Sequence, residues 1–176
     1  MRKLILQLAV SLDGFIEGPN GEYDWCFTDQ DYGMKDFFKR IDCVFYGRKS
    51  YELALSMAES MDGTGTPDFP KLKEYVFSTK LNEVKPGAIL INKNIETEVR
   101  RIKSEPGKDI WLFGGASLTA SLMNMGLVDE IALAVHPIIL GNGKPLFGQI
   151  AEKVPLTLID TKTYSSGLVS LIYALA

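Results

Sequence analysis

Apolar positions in this chain fall into two patterns that alternate along it. Short unbroken runs at Lys3 to Val10 (interrupted once, by Gln7), Cys43 to Tyr46, Tyr75 to Phe77, Ala88 to Ile91 and Ile110 to Phe113 read as strands covered on both faces. Between them the spacing becomes helical. Met34, Phe37, Phe38 and Ile41 share one face of a segment from Tyr32, Val99 and Ile102 share one within Ile95 to Lys103, and Leu118, Leu122 and Met123 share another. Strand and helix in alternation imply an α/β fold of three layers, with a mainly parallel sheet and helices on both sides.

The last third departs from this rhythm. Gly126 closes a helix, and Asp129-Glu130 precede a long strand from Ile131 to Leu140. Beyond a glycine loop, Leu156 to Tyr164 and Leu168 to Leu175 flank Ser165-Ser166-Gly167, the pattern of an antiparallel hairpin. Two polar stretches remain. Ser60 to Pro70 reads as a loop, and Glu17 to Tyr32, which holds Trp25 and Phe27 among glycines and acids, reads as a lid over a pocket.

Composition narrows the picture. At 176 residues and a net charge of −3, the chain is expected to form one domain spanning 1–176, without a general nucleic-acid surface. The N-terminus, Met-Arg-Lys-Leu-Ile-Leu-Gln, breaks its apolar run too early for a signal peptide, and no segment reaches membrane-span length, so a cytoplasmic protein with no membrane role is expected. Cys26 and Cys43 lack the spacing and histidine company of a zinc site and are expected to be reduced, with no metal. The closing strands are apolar on both faces, from which a homodimer is expected.

Candidate chemistry collects where predicted strands end. Asp13, Gly47-Arg48-Lys49-Ser50, Ser78-Thr79 and Gly114-Gly115-Ala116-Ser117 each follow a strand directly, and parallel sheets bind ligands beyond those carboxyl ends. At Gly114-Gly115 the backbone can take positive φ and let a ligand approach, Ser117 is placed to cap the helix, and the helix start suits phosphate. Turn geometry alone explains the same glycines. His136, the single histidine, is expected to pack or lie at the surface, and Lys144 to be solvated.

Ser11-Leu12-Asp13-Gly14, Gly47-Arg48, Phe113-Gly114-Gly115-Ala116 and the segment from Pro137 through Leu140-Gly141 and Gly143 to Pro145-Leu146-Phe147 occur in a telling order. Together they resemble the dihydrofolate-reductase-like superfamily, and within it the branch of the RibD-type C-terminal reductase domain. The resemblance covers nearly the whole chain. It implies NADPH held by its phosphates at Gly47-Arg48-Lys49-Ser50 and Gly114-Gly115-Ala116-Ser117, with Ser78 and Thr79 at the adenosine end and Arg48 at the 2′-phosphate. Ala9 and Ile16 match positions lining the nicotinamide.

On the substrate side the resemblance implies Trp25 at the lid's end, Met34 and Phe38 on the helix after it, and Asp13 as a substrate-orienting or proton-handling carboxylate. Folate-reducing members carry a carboxylate where this chain has Met34. The activity implied is hydride transfer to a C=N or C=O bond of a small heterocycle, nearest to 5-amino-6-(5-phosphoribosylamino)uracil reduction. A dihydrofolate or pterin reductase and a non-catalytic NADP(H)-binding module are the alternatives.

Overall fold

The computed structural model describes residues 1–60 and 70–175. Ten strands and four helices run in the order β1 (Leu4–Ser11), β2 (Phe15–Glu17), α1 (Met34–Arg40), β3 (Ile41–Gly47), α2 (Arg48–Ser60), β4 (Lys73–Phe77), β5 (Ile89–Ile91), α3 (Ile95–Ser104), β6 (Asp109–Gly114), α4 (Ala116–Asn124), β7 (Glu130–His136), β8 (Lys144–Pro145), β9 (Leu156–Thr163) and β10 (Val169–Leu175) among these residues. Eight strands form one sheet in the order β5-β4-β3-β6-β1-β7-β10-β9. The six from β5 to β7 are mutually parallel, and β10 and β9 close the far edge as an antiparallel pair. This is the α/β arrangement that the alternating periods imply.

Strand pleating sorts the core into two layers. Leu4, Leu6, Phe45, Ile110 and Leu112 point to one face, where they meet Val99 and Ile102 of α3 and Leu118, Leu122 and Met123 of α4. Ile5, Val44 and Trp111, their sequence neighbours, point to the other, against Phe37 of α1. Successive residues of a strand alternate faces, so an unbroken apolar run supplies both layers at once. Burying each such side chain contributes about 1.5–3 kcal/mol, which fixes the central strands as the rigid frame of the site.

Three expectations need correction. The strand expected to reach Leu140 ends at His136, because Pro137 has no N–H for the ladder; the Ile138 N–H instead turns back to the His136 carbonyl (2.8 Å). Ser60, expected in a loop, is the last residue of α2, while the rest of that loop, 61–69, lies outside the described residues. Ser117 does not cap α4: the helix starts at Ala116, and Gly115 stands at the cap with no side chain to offer the first turn.

One element was not foreseen. β2 and β8 pair as a two-stranded sheet of their own, Phe15 opposite Pro145 and Glu17 opposite Lys144. The approach is close enough that a Cβ on Gly143 would stand 2.2 Å from the Glu17 carbonyl oxygen, and Gly143 has φ +149°, so only glycine fits. This ribbon carries Lys144 from the glycine loop to the rim of the main sheet.

Candidate active site

The parallel strands end together at Ser11, Gly47, Phe77, Gly114 and His136, and two adjoining cavities lie beyond them. The smaller, about 340 Å³, runs along the starts of α2 and α4 and is lined by Gly47, Arg48, Lys49, Ser50, Ser78, Thr79, Gly115, Ala116 and Ser117. Sequence reasoning named all nine. Lys80, Ser121 and Lys144 complete its polar wall.

Both helix starts open straight from strand ends, so the first backbone N–H groups of α2 and α4 have no preceding turn to bond. One of them is already used. The Gly115 N–H donates to Ser50 Oγ (2.9 Å), which ties the two helix starts together. Gly114, buried with φ +108°, lies below this joint rather than on the cavity wall, and makes the turn that lets α4 begin at once. Added side chains would crowd the cradle: a Cβ on Gly115 would meet Ser50 Oγ at 3.3 Å.

Charges here are placed for a visitor. Arg48 folds back onto Glu52 (2.8 Å), an exposed i,i+4 pair of the kind worth about 0–1 kcal/mol, so an incoming phosphate could take the guanidinium at little cost. Lys49 and Ser117 carry no hydrogen bond or ion pair among the described residues. Thr119, fully buried one turn into α4 and beside Gly114, keeps a hydroxyl oxygen with no partner among them. Cations, hydroxyls, helix starts and a glycine cradle form a donor set that fits a dinucleotide's phosphates.

The larger cavity, about 570 Å³, is mostly apolar. Ala9 and Ile16 line it, as does Met34, whose sulfur accepts a hydrogen bond from Gln7 Nε2 (3.2 Å). Tyr23, Phe27, Tyr32, Trp111 and Phe113 supply aromatic walls. Lys49, Ser50, Gly115 and Lys144 line both cavities and so mark their boundary. Lys144, expected in solvent, is half-buried there, 3.8 Å from Glu17.

Other predicted substrate residues stand back from this space. Phe38 packs on Trp111 (5.8 Å between centroids) and supports the wall from behind. Trp25 meets His136 edge-on at 5.3 Å and does not line either cavity. Asp13 lines neither: its carboxylate accepts from Ser11 Oγ (2.7 Å) and from the N–H groups of Leu140 (3.1 Å) and Gly141 (2.8 Å). The Ser11 bond first, and then those backbone donors, hold this carboxyl below the ordinary aspartate range. The geometry makes Asp13 a clip between the loop after β1 and the loop after β7.

His136 matters more than its isolation in the sequence suggested. It is buried, lines the larger cavity, and bonds at both ring nitrogens: Nδ1 to the Ala134 carbonyl (2.9 Å) and Nε2 to the Phe27 N–H (3.1 Å). A carbonyl only accepts and an N–H only donates, so this pattern selects the neutral ring with its proton on Nδ1. Burial pushes its pKa below the ordinary value. The lid is thereby fastened to the end of β7. Cys26, also on the cavity wall, has its thiol pushed up to about 11, mainly by burial, and presents a neutral S–H. No group of histidines, cysteines and acids among the described residues could hold a metal ion, and no described helix is long and apolar enough to cross a membrane.

Known proteins resemble this chain in sequence and in fold. The family model of the RibD C-terminal domain matches residues 2–170. The Bacillus subtilis protein YyaP is 49% identical over 177 residues, covering 98% of this chain and 94% of its own. Among solved structures, a Shewanella sp. PV-4 protein provisionally assigned to riboflavin biosynthesis superposes with a TM-score of 0.80 at 25% identity over 99% of both chains. The Thermotoga maritima diaminohydroxyphosphoribosylaminopyrimidine deaminase/5-amino-6-(5-phosphoribosylamino)uracil reductase superposes at 0.75, with 14% identity over 99% of this chain and 57% of that one. Dihydrofolate reductase from Enterococcus faecalis, solved with NADP(H), shares the fold at 0.65, with 15% identity over 98% and 96%.

Proposed function

Because the chain belongs to the RibD C-terminal domain family, we propose that it is an NADPH-dependent reductase acting on a C=N or C=O bond of a small heterocycle. The observation that carries this reading is the pair of adjoining cavities, one built for phosphates and one for flat apolar groups, with Lys49, Ser50, Gly115 and Lys144 at their junction. A dinucleotide laid along the two helix starts would reach across that junction. Bound there, NADPH supplies the hydride.

The protein's part is placement. Arg48 and Lys49 with the α2 and α4 starts would hold the phosphates, Ser78 and Thr79 the adenosine end, and Ala9 and Ile16 the nicotinamide face. Trp111, Phe113 and Met34 would hold the acceptor flat against it, within the short reach that hydride transfer requires. His136 Nε2 and the Asp31 carboxylate both already accept backbone N–H bonds, so neither is placed to deliver the proton that completes the reduction, and water would supply it. Asp13 has no contact with that space and acts through the loops it joins.

Folate reduction is the weaker reading. A pterin pairs with a free carboxylate, and Met34 stands where such members carry it; Asp31 does line the cavity, yet its oxygens cap the Gly33 and Lys35 N–H groups. Calorimetric titration with NADPH and NADH tests the proposal. Wild type should prefer NADPH, and Arg48→Ala should lose that preference by roughly 10–150-fold, the equivalent of about 1.5–3 kcal/mol for a charge-assisted contact. If neither nucleotide binds, the reductase reading is wrong. NADPH binding with no turnover of any carbonyl or imine would favour a non-catalytic module.

A further inference from the structure

The charge around the larger cavity limits what can enter it. Among the described residues two cations line it, Lys49 and Lys144, and both also line the phosphate cavity, where an anionic dinucleotide would engage them. Lys144 further faces Glu17 at 3.8 Å. Glu17 and Asp31 both line the same space, so the wall left over once the cofactor is seated is carboxylate-bearing. No arginine lines it among the described residues.

The remaining surface is aromatic and aliphatic, with a few neutral amides and hydroxyls. Gln7 is the informative one. It is the single break in the apolar run of β1, and its Nε2 spends a donor on the Met34 thioether, a weak acceptor that a carbonyl or ring nitrogen would readily displace. An amide offers donor and acceptor together, the pattern that matches a lactam or imine edge.

We infer that the substrate is an uncharged, flat heteroaromatic carbonyl or imine compound without a phosphate group, oriented by Gln7 against Trp111 and Phe113. The inference rests on the reductase reading, and separates this chain from reduction of a phosphoribosyl substrate. The step balances simply: a hydride from NADPH forms the new C–H bond, water gives a proton to nitrogen or oxygen, and NADP⁺ and hydroxide remain, the latter neutralised by buffer. Once a dinucleotide engages Lys49 and Lys144, an anion placed in the same cavity would face Glu17 and Asp31 with no further cation lining it among the described residues.

Two matched pairs of probes test this: isatin against isatin-5-sulfonate, and 5-amino-6-ribosylaminouracil against its 5′-phosphate. Calorimetry with NADPH comes first, since failure there sinks the reductase reading itself and not the charge argument. Binding of each probe to NADP⁺-loaded protein is then read by tryptophan fluorescence, and turnover by loss of NADPH absorbance. The neutral member of each pair should bind about tenfold or more tightly. Gln7→Leu should weaken the neutral probes by about tenfold while NADPH affinity holds, and Glu17→Gln should narrow the gap between members of a pair. Equal or tighter binding of the anionic member in either pair overturns the inference, as does binding of no probe to protein that has taken up NADP⁺.

Discussion

The two ends of the central sheet treat polar groups in opposite ways. At the amino end Arg2, Lys103 and Glu130 are buried, each with a charged partner. Lys103, 4% exposed, donates to Asp129 (2.6 Å) and to the Leu127 carbonyl (2.8 Å). Glu130, 3% exposed, accepts from Arg40 (2.9 Å) and Lys3 (3.4 Å), and the Arg2 guanidinium pairs with Asp42. At the carboxyl end Lys49 and Ser117 stand without partners among the described residues, and Arg48 has only an exposed, exchangeable one. Groups satisfied internally hold the fold; groups left unsatisfied wait for a ligand.

Breaking the amino end should cost stability and nothing else. Asp129→Ala leaves the Lys103 ammonium buried without its counter-charge, and should lower unfolding free energy by about 3–5 kcal/mol in urea titration, near the smaller figure because the Leu127 carbonyl remains. NADPH affinity of the folded fraction should not change. The opposite result is expected at the carboxyl end. The Arg48→Ala variant that loses NADPH preference should unfold within about 1 kcal/mol of wild type, because its pair with Glu52 is solvent-exposed. A large loss of stability there would show that the site is part of the frame.

His136 sharpens the contrast through pH. Its folded pKa lies below its unfolded value, so the unfolded chain binds more protons as pH falls through the ordinary histidine range. Wild-type stability should therefore be full above about pH 6.5 and decline below it, and His136→Gln should flatten that decline. The protonated ring also cannot accept the Phe27 N–H, so protection of that amide in hydrogen exchange should fall as pH drops through the lower, folded value. Asp13 gives the smallest effect and the opposite dependence. Its depressed folded pKa adds stability above the ordinary aspartate value that is lost as pH drops through the folded one, so Asp13→Ala and wild type should converge in melting temperature at strong acid. Turnover by Asp13→Ala should stay close to wild type, since the carboxylate touches neither cavity.

The strands and the rim they share were legible because each rests on local information. An apolar run marks a strand covered on both faces, and the residue after it must sit at the strand's end, so Gly47 to Ser50 and Gly115 to Ser117 could be placed from order alone. What was hidden depends on partners distant in the chain. Lys144 reaches the cavities only because a two-residue strand pairs with Glu17, and neither piece is long enough to show a period. His136 looked inert without a second histidine, yet its partner is a backbone N–H, which no residue type announces. Asp13 was read through its motif as chemical; its partners, 127 and 128 positions away, make it a clip. Gln7 passed as an interruption of β1, though a lone amide in an otherwise apolar run was the available signal.

The position of β1 bears on the order in which the molecule can be made. It precedes the other described strands in the chain, yet it lies between β6 and β7, pairing Leu4 with Ile110 on one side and Ile5 with Glu130 on the other. Until residue 136 has emerged, the strand that seats Gln7 and Ala9 lacks a complete pair of neighbours. At about 5–20 residues per second, synthesis leaves that apolar segment waiting for several seconds. Its long-range pairings also predict slow closure once the chain is free. The nascent chain thus spends its early life with a central strand incompletely paired, and the Ala9 side of the larger cavity is among the last surfaces to exist.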